Sequence, residues 1–235
     1  MKIIFKGEIL SEFLDWGNIV FVGKKEKHWK KGRSAYSLAN FIVNQNGLAQ
    51  IQKILSPIIN EEFTLYKASP EFEARFDNYG HGREHDLAIW GNTKSGKTIF
   101  IGLEAKVDES FGDTIATAQK KATAKLEKGK NTNALKRINE LLSFNFDEPT
   151  EQDLQLRYQL LFSTAGTLCV EAEIHIMLIL VFKTEKYSPK IGAKNYGDLM
   201  CFLEKANAKI IDDNTYQLSK NNKELTLLYK EIVVN

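Results

Sequence analysis

From Ile174 to Phe182 the chain is a continuous apolar run, rich in Ile, Leu and Val and broken only by His175. A strand with both alternating faces apolar has to be covered on both, as a central strand is in a sheet with a helical layer on each side. The run is far shorter than the ~20 residues a membrane span needs. This segment predicts a layered α/β architecture, and the rest of the chain has to supply the flanking strands and helices.

The remaining pattern does so. Ser34 or Ser37 caps a predicted helix with Leu38, Phe41 and Ile42 on one face. Gly47 breaks it, and Leu48, Ile51, Ile54 and Leu55 continue helical spacing as far as Pro57. Phe63–Tyr66, His85–Trp90 and Thr98–Val107 read as strands, with a turn-rich stretch from Phe76 to Glu84 before the second. Helices are predicted over Asp113–Lys128, Asn133–Leu142, Thr150–Ala165 (stopped by Gly166) and Asp198–Ala206. Residues 208–234 read as a small β tail of short strands joined by turns at Asp212–Thr215 and Lys220–Lys223. Residues 2–22 give no clear pattern, and no repeat, low-complexity tract or Pro/Gly-rich linker divides the chain. The expectation is a single mixed α/β domain over residues 1–235.

Composition narrows the setting. A net charge of +2 argues neither for nor against nucleic acid, so any basic surface has to be local. The stretch Lys24–Arg33 carries Lys24, Lys25, Lys27, His28, Lys30, Lys31 and Arg33 around Trp29, and reads either as a solvated loop or as a contact to a nucleic-acid backbone. Cys169 and Cys201 lie in apolar sequence, which predicts buried, reduced thiols in a reducing compartment. The charged N-terminus is unlike a signal peptide. A cytoplasmic protein without a membrane segment is expected.

The chemistry concentrates in 85–107. Along the strand Thr98–Val107, Ile99, Ile101, Leu103, Ala105 and Val107 share one face while Glu104 and Lys106 lie on the other. In the preceding strand Leu87 and Ile89 share a face and Asp86 points the opposite way, with His85 on the far side from Asp86. A hairpin turning near Ser95, with both apolar sets on the core, brings Asp86 almost opposite Glu104, with Cβ atoms about 5 Å apart. Two carboxylates at that range repel unless a cation sits with them, and Mg²⁺ takes one or two carboxylates plus water and phosphate oxygens. A lysine two residues on suits metal-assisted phosphodiester hydrolysis. The alternative is an exposed strand face on which Glu104 and Lys106 are merely solvated.

This arrangement resembles the PD-(D/E)XK phosphodiesterase (restriction endonuclease-like) superfamily. The resemblance covers about residues 34–182 and departs from the usual pattern in having His85, not proline, before the aspartate. It implies a core of helix, three-stranded antiparallel meander, helix and strand, with extra helices added. It also implies hydrolysis of DNA with Mg²⁺ or Mn²⁺, Asp86 and Glu104 as metal ligands, the Ala105 carbonyl as a further one, and Lys106 assisting the attacking water. Many similar nucleases work as homodimers. Accessory candidates are Glu73 (with Glu71 beside it) as a further ligand, Gln119 and Lys120 near the scissile phosphate, and Arg157 and Gln159 as partners of the acidic residues. His81 and Arg83 are candidate phosphate contacts, and Glu109 either favours a helix N-terminus or bonds near the site.

One motif competes. Gly91–Thr98 matches the Walker A pattern, with Lys97 and Thr98 as its nucleotide-binding residues. A phosphate-binding loop of that kind opens a helix. Here Thr98–Leu103 alternates and contains β-branched residues and Gly102, so it reads as a strand, and no Walker B aspartate follows Phe182.

Overall fold

The computed structural model describes residues 2–234. In chain order it runs β1 (Lys2–Phe5), β2 (Glu8–Ile9), α1 (Phe13–Asp15), two short irregular helical turns at Trp16–Val20 and Gly23–His28, α2 (Ser34–Asn44) and α3 (Gly47–Leu55). Then come β3 (Phe63–Ala74), β4 (Arg83–Thr93), β5 (Thr98–Lys106), α4 (Ile115–Glu127), α5 (Ala134–Asn145), a short turn at Glu151–Gln155, and α6 (Tyr158–Cys169). The chain ends with β6 (Ile174–Lys183), α7 (Pro189–Lys205), β7 (Lys209–Asp212), β8 (Thr215–Lys220) and β9 (Lys223–Val233).

All nine strands join one mixed sheet in the order β2-β1-β3-β4-β5-β6-β9-β8-β7. β3, β4 and β5 form an antiparallel meander, and β6 lies parallel to β5 on one side and to β9 on the other. Parallel neighbours on both sides explain why the 174–182 run is apolar throughout. Ile176, Leu178, Leu180 and Phe182 enter one core with α2 and α3, while Met177, Ile179 and Val181 enter the other with α5, α6 and α7. Among the described residues no helix is long and apolar enough to cross a membrane.

Four expectations need correction. Gly166 does not stop a helix: it lies inside α6, where a Cβ would come within 2.9 Å of Arg83 Cβ and 3.2 Å of His85 Nε2. It is a close-approach glycine, not a C-terminal cap. The helix expected from Asp198 begins at Pro189, where Ser188 caps it. Residues 208–234 are no tail, because β9 pairs with the central strand and β8 with β9. The β8–β9 turn uses Asn221 and Asn222, both with positive φ, as a tight two-residue hairpin requires. The cysteines are free as expected, but both are exposed. Each ends or lines the outer side of a helix, and apolar neighbours in sequence did not carry them inward.

Candidate active site

Regular strand alternation fails at the point where the site is built. His85 and Trp90 both meet Phe100 edge-on, with ring centroids 6.1 and 5.4 Å away, although they are an odd number of positions apart. An unbroken strand would put them on opposite faces. The break is at Asp86 and its neighbour across the sheet. Glu71 has a φ of 49°, in the left-handed region, and β3–β4 pairing passes from Pro70↔Leu87 to Phe72↔His85. The β4–β5 ladder stops at Leu87↔Leu103, one step short of Asp86 and Glu104. Beyond it the Ala105 N–H donates to Asp86 Oδ2 at 2.7 Å. A side chain thus replaces the next rung of the ladder.

The consequence is that Arg83 and His85 turn toward α6 and Glu104, which corrects the expectation that His85 faces away from the carboxylates. Glu104 is fully buried and accepts from four side chains. Arg83 Nη2 pairs with Oε2, Gln159 Nε2 donates to Oε2 at 2.7 Å, Ser163 Oγ donates to Oε1 at 3.1 Å, and His85 Nδ1 lies 3.3 Å from Oε1. Room for the imidazole comes from two glycines: a Cβ on Gly102 would lie 2.7 Å from His85 Cε1. Burial pushes the His85 pKa down, favouring the neutral ring with Nδ1–H donating to Glu104. Its Nε2 has no hydrogen-bond partner among the described residues.

The two carboxylates are driven apart. Burial first, then the charge of Glu104, raises the Asp86 pKa to about 7 against the opposing pull of Lys106. Burial also acts to raise Glu104, but Arg83, the His85 hydrogen bond and Lys106 outweigh it and hold that carboxyl below its usual range. Lys106 is 4% exposed. Its Nζ reaches the Ala105 carbonyl at 3.3 Å and lies 5.4 Å from the Phe111 ring centroid, with no carboxylate within ion-pair distance among the described residues. Buried lysines are nearly always paired. Next to Glu104, a cleft of about 300 Å³ between α4 and α6 is lined by Phe111, Lys121, Lys125, Tyr158 and Gln159.

The structure therefore brings together Asp86, Glu104, Ala105, Lys106 and Gln159, all expected from sequence, with Arg83, His85 and Ser163. Arg83 was expected at a phosphate and instead pairs with Glu104. Ser163 was missed. The signal for it was the polar pair Ser163 and Thr164 in the middle of a largely apolar helix, one turn beyond Gln159.

Other candidates lie elsewhere. Glu73 accepts from Gly82 N–H and Arg75 in the β3–β4 turn and contacts no site residue. Its neighbour Glu71 is nearer, because its charge contributes to raising Asp86. Arg157 pairs with Asp198 at 2.8 Å and the Gly112 carbonyl at 2.8 Å, so it ties α6 to α7 rather than meeting Glu104. Gln119 and Lys120 make no hydrogen bond or ion pair with Asp86, Glu104 or Lys106 among the described residues: Lys120 is exposed, and Gln119 is half-buried on the face of α4 that carries Ile115 and Ala122. Glu109 Oε2 accepts from the Val107 and Asp108 N–H groups, just beyond Lys106.

The Walker-like segment is the β4–β5 hairpin turn, and the residues after it form β5, not a helix. Its amides are already taken: Ser95 N–H donates to Glu61, Lys97 N–H to Thr93 Oγ1 and Thr98 N–H to Glu173. Lys97 and Thr98 are thus placed among carboxylates and have no phosphate cradle.

No curated protein and no solved structure matches the chain. Residues 10–233 match the family described as Domain of unknown function (DUF6946), and the chain belongs to that family.

Proposed function

We propose that this chain is a divalent-metal-dependent nuclease that hydrolyses phosphodiester bonds in DNA, with a PD-(D/E)XK-like site formed by Asp86, Glu104 and Lys106. The observation that carries this reading is Lys106, buried with no ion-pair partner among the described residues beside two carboxylates whose pKa values are shifted in opposite directions. Titratable groups shifted in opposite directions side by side are the kind of arrangement that reaction centres use. The meander β3-β4-β5 followed by β6 parallel to β5, after the helices α2 and α3, supports the same reading.

The donor set fits a hard ion such as Mg²⁺ or Mn²⁺. No group of three or more His, Cys, Asp or Glu is placed to hold a metal among the described residues, so an ion here would rest on the two carboxylates together with carbonyl, water and phosphate oxygens. Asp86, Glu104 and the Ala105 carbonyl supply two carboxylates and a carbonyl, and a hard ion takes its other ligands from water and phosphate. When bound, the ion supplies Lewis-acid polarisation and lowers the pKa of a coordinated water. Among the chain's own groups, the Ala105 N–H fixes Asp86, and Gln159, Ser163 and Arg83 orient Glu104. Lys106 Nζ holds the attacking water in line and stabilises charge developing on the phosphate.

A second reading, a nucleic-acid-binding module without chemistry, is favoured by the four donors that already occupy both Glu104 oxygens. The two separate in a cleavage assay on labelled duplex, single-stranded and branched DNA with Mg²⁺ or Mn²⁺. The nuclease reading expects cleavage by the wild type and none by Asp86→Ala or Lys106→Ala. A folded wild type that binds DNA and cuts none of these substrates with either metal would establish the silent module.

A further inference from the structure

Outside the carboxylate site, the most strongly charged feature is the segment Gly23–Arg33. Two of its cations are anchored: Lys25 Nζ pairs with Glu71 at 2.7 Å and Glu84 at 3.0 Å, and Arg33 Nη1 pairs with Asp108 at 2.5 Å. The anchors locate the segment. Glu71 acts on Asp86, and Asp108 follows Lys106 by two residues, so the segment runs from the Asp86 side of the site to the Lys106 side.

The segment is also held firmly. Trp29 packs against Phe13, Phe21 and Tyr36 at centroid distances of 5.3, 5.3 and 5.2 Å, so it is an anchor and no free stacking platform. Gly17 lies so close beneath it that a Cβ would be 2.6 Å from Trp29 Nε1, and Thr184 Oγ1 donates to the Gly32 carbonyl at 2.8 Å. Lys27, Lys30 and Lys31 between the anchors, and Lys24 just before the first, are exposed, and none has an acidic partner among the described residues. Lys27, His28, Lys30, Arg33 and Ser34 line a pocket of about 230 Å³ beside Glu109, whose Oε2 is taken by two backbone N–H groups. Like charges fixed side by side on an anchored segment repel one another, and a polyanion relieves that repulsion.

We propose that this segment is a phosphate-binding rim that holds the DNA backbone next to the bond presented to Asp86 and Lys106. The identity of the polyanion rests on the nuclease reading; the surface itself rests on the anchored, unpaired lysines. The test is anisotropy of a labelled DNA duplex in EDTA, where no cleavage intervenes, across a range of salt concentrations. Each phosphate contact contributes about 0.9 to the slope of log K against log salt. Lys27→Gln/Lys30→Gln should make the slope shallower by about 1.8 and weaken binding at low salt. Its melting temperature should be unchanged, and Lys209→Gln/Lys220→Gln at the distant sheet edge should leave the slope alone. An unchanged slope in the rim variant, an equal change in the control pair, or a wild type that binds no duplex would overturn the rim. Wild-type binding with the expected slope but no cleavage with Mg²⁺ or Mn²⁺ would support the rim while sinking the nuclease reading. Cleavage with an unchanged slope in the rim variant would do the reverse.

Discussion

At the scale of single residues, the charges around Glu104 determine what each substitution does. Lys106 makes no ion pair among the described residues, so Lys106→Met removes a buried charge while keeping most of the packing. Its melting temperature should equal or exceed that of the wild type, while single-turnover cleavage should fall by about 100-fold or more. A variant that melts earlier and cuts normally would reassign Lys106 to structure. Arg83→Ala has the opposite logic. It strips a fully buried carboxylate of its cation, and urea titration should register a loss of about 3–5 kcal/mol. The Asp86 pKa rises from 3.8 to about 7 on folding, so the native state holds a proton that the unfolded chain has released. In the metal-free protein, Asp86 therefore costs stability progressively as pH climbs from about 4 to about 7. Glu104 is lowered, so its contribution is present above the ordinary carboxylate range and is lost only as pH falls below it. Asp86→Asn should flatten thermal stability between pH 5 and pH 7 and melt above the wild type at pH 8. An unchanged profile would mean that Asp86 is ionised throughout.

At the scale of elements, α6 and the β3-β4-β5 meander form one unit because small residues let them touch. Gly102 admits His85 and Thr167, and Gly166 admits Arg83. Gly166→Ala leaves helix propensity intact, yet it pushes a methyl to 2.9 Å from Arg83 Cβ. A destabilisation of about 1–3 kcal/mol is expected from overpacking, and cleavage should fall further than stability because Arg83 and His85 both hold Glu104. Normal cleavage by this variant would separate the α6 contact from the site. Element identity was largely legible in sequence: the hairpin, the apolar strand and the helices α2 to α5 follow directly from period and turn chemistry. The fracture in alternation at Asp86 was not. It arises from Glu71 across the sheet and from an N–H of β5 captured by a carboxylate, neither of which leaves a mark in the sequence of β4.

For the whole molecule, the decisive feature is where the C-terminal strands go. β9 lies between β6 and β8 and buries Leu225, Leu227 and Leu228. Truncation after Ala206 would leave β6 with an open edge and would strip Tyr216, Leu218, Leu225, Leu227 and Tyr229 from the core that holds Met177, Ile179 and Val181. The truncated chain should lose its cooperative thermal transition and bind a hydrophobic dye. A cooperative, dye-free transition would show that residues up to 206 form an independent domain. Strands that read as a short tail, being brief and turn-rich, are thus part of the main sheet.

By itself the sequence determined the layered α/β arrangement, the β4–β5 hairpin and the placing of Asp86, Glu104 and Lys106 near one another, because side-chain period and turn residues are local properties of the chain. It also pointed to Gln159 as a partner for an acidic residue, since a polar group on an apolar helix needs one. It took long-range packing to bring Arg83, His85 and Ser163 to them, to leave Arg157 and Glu73 apart, and to tie the basic segment to Glu71, Glu84 and Asp108 through Lys25 and Arg33. Those outcomes depend on which elements pack together and on one broken step in a strand. Long-range packing sets both, and no local pattern of residues encodes them.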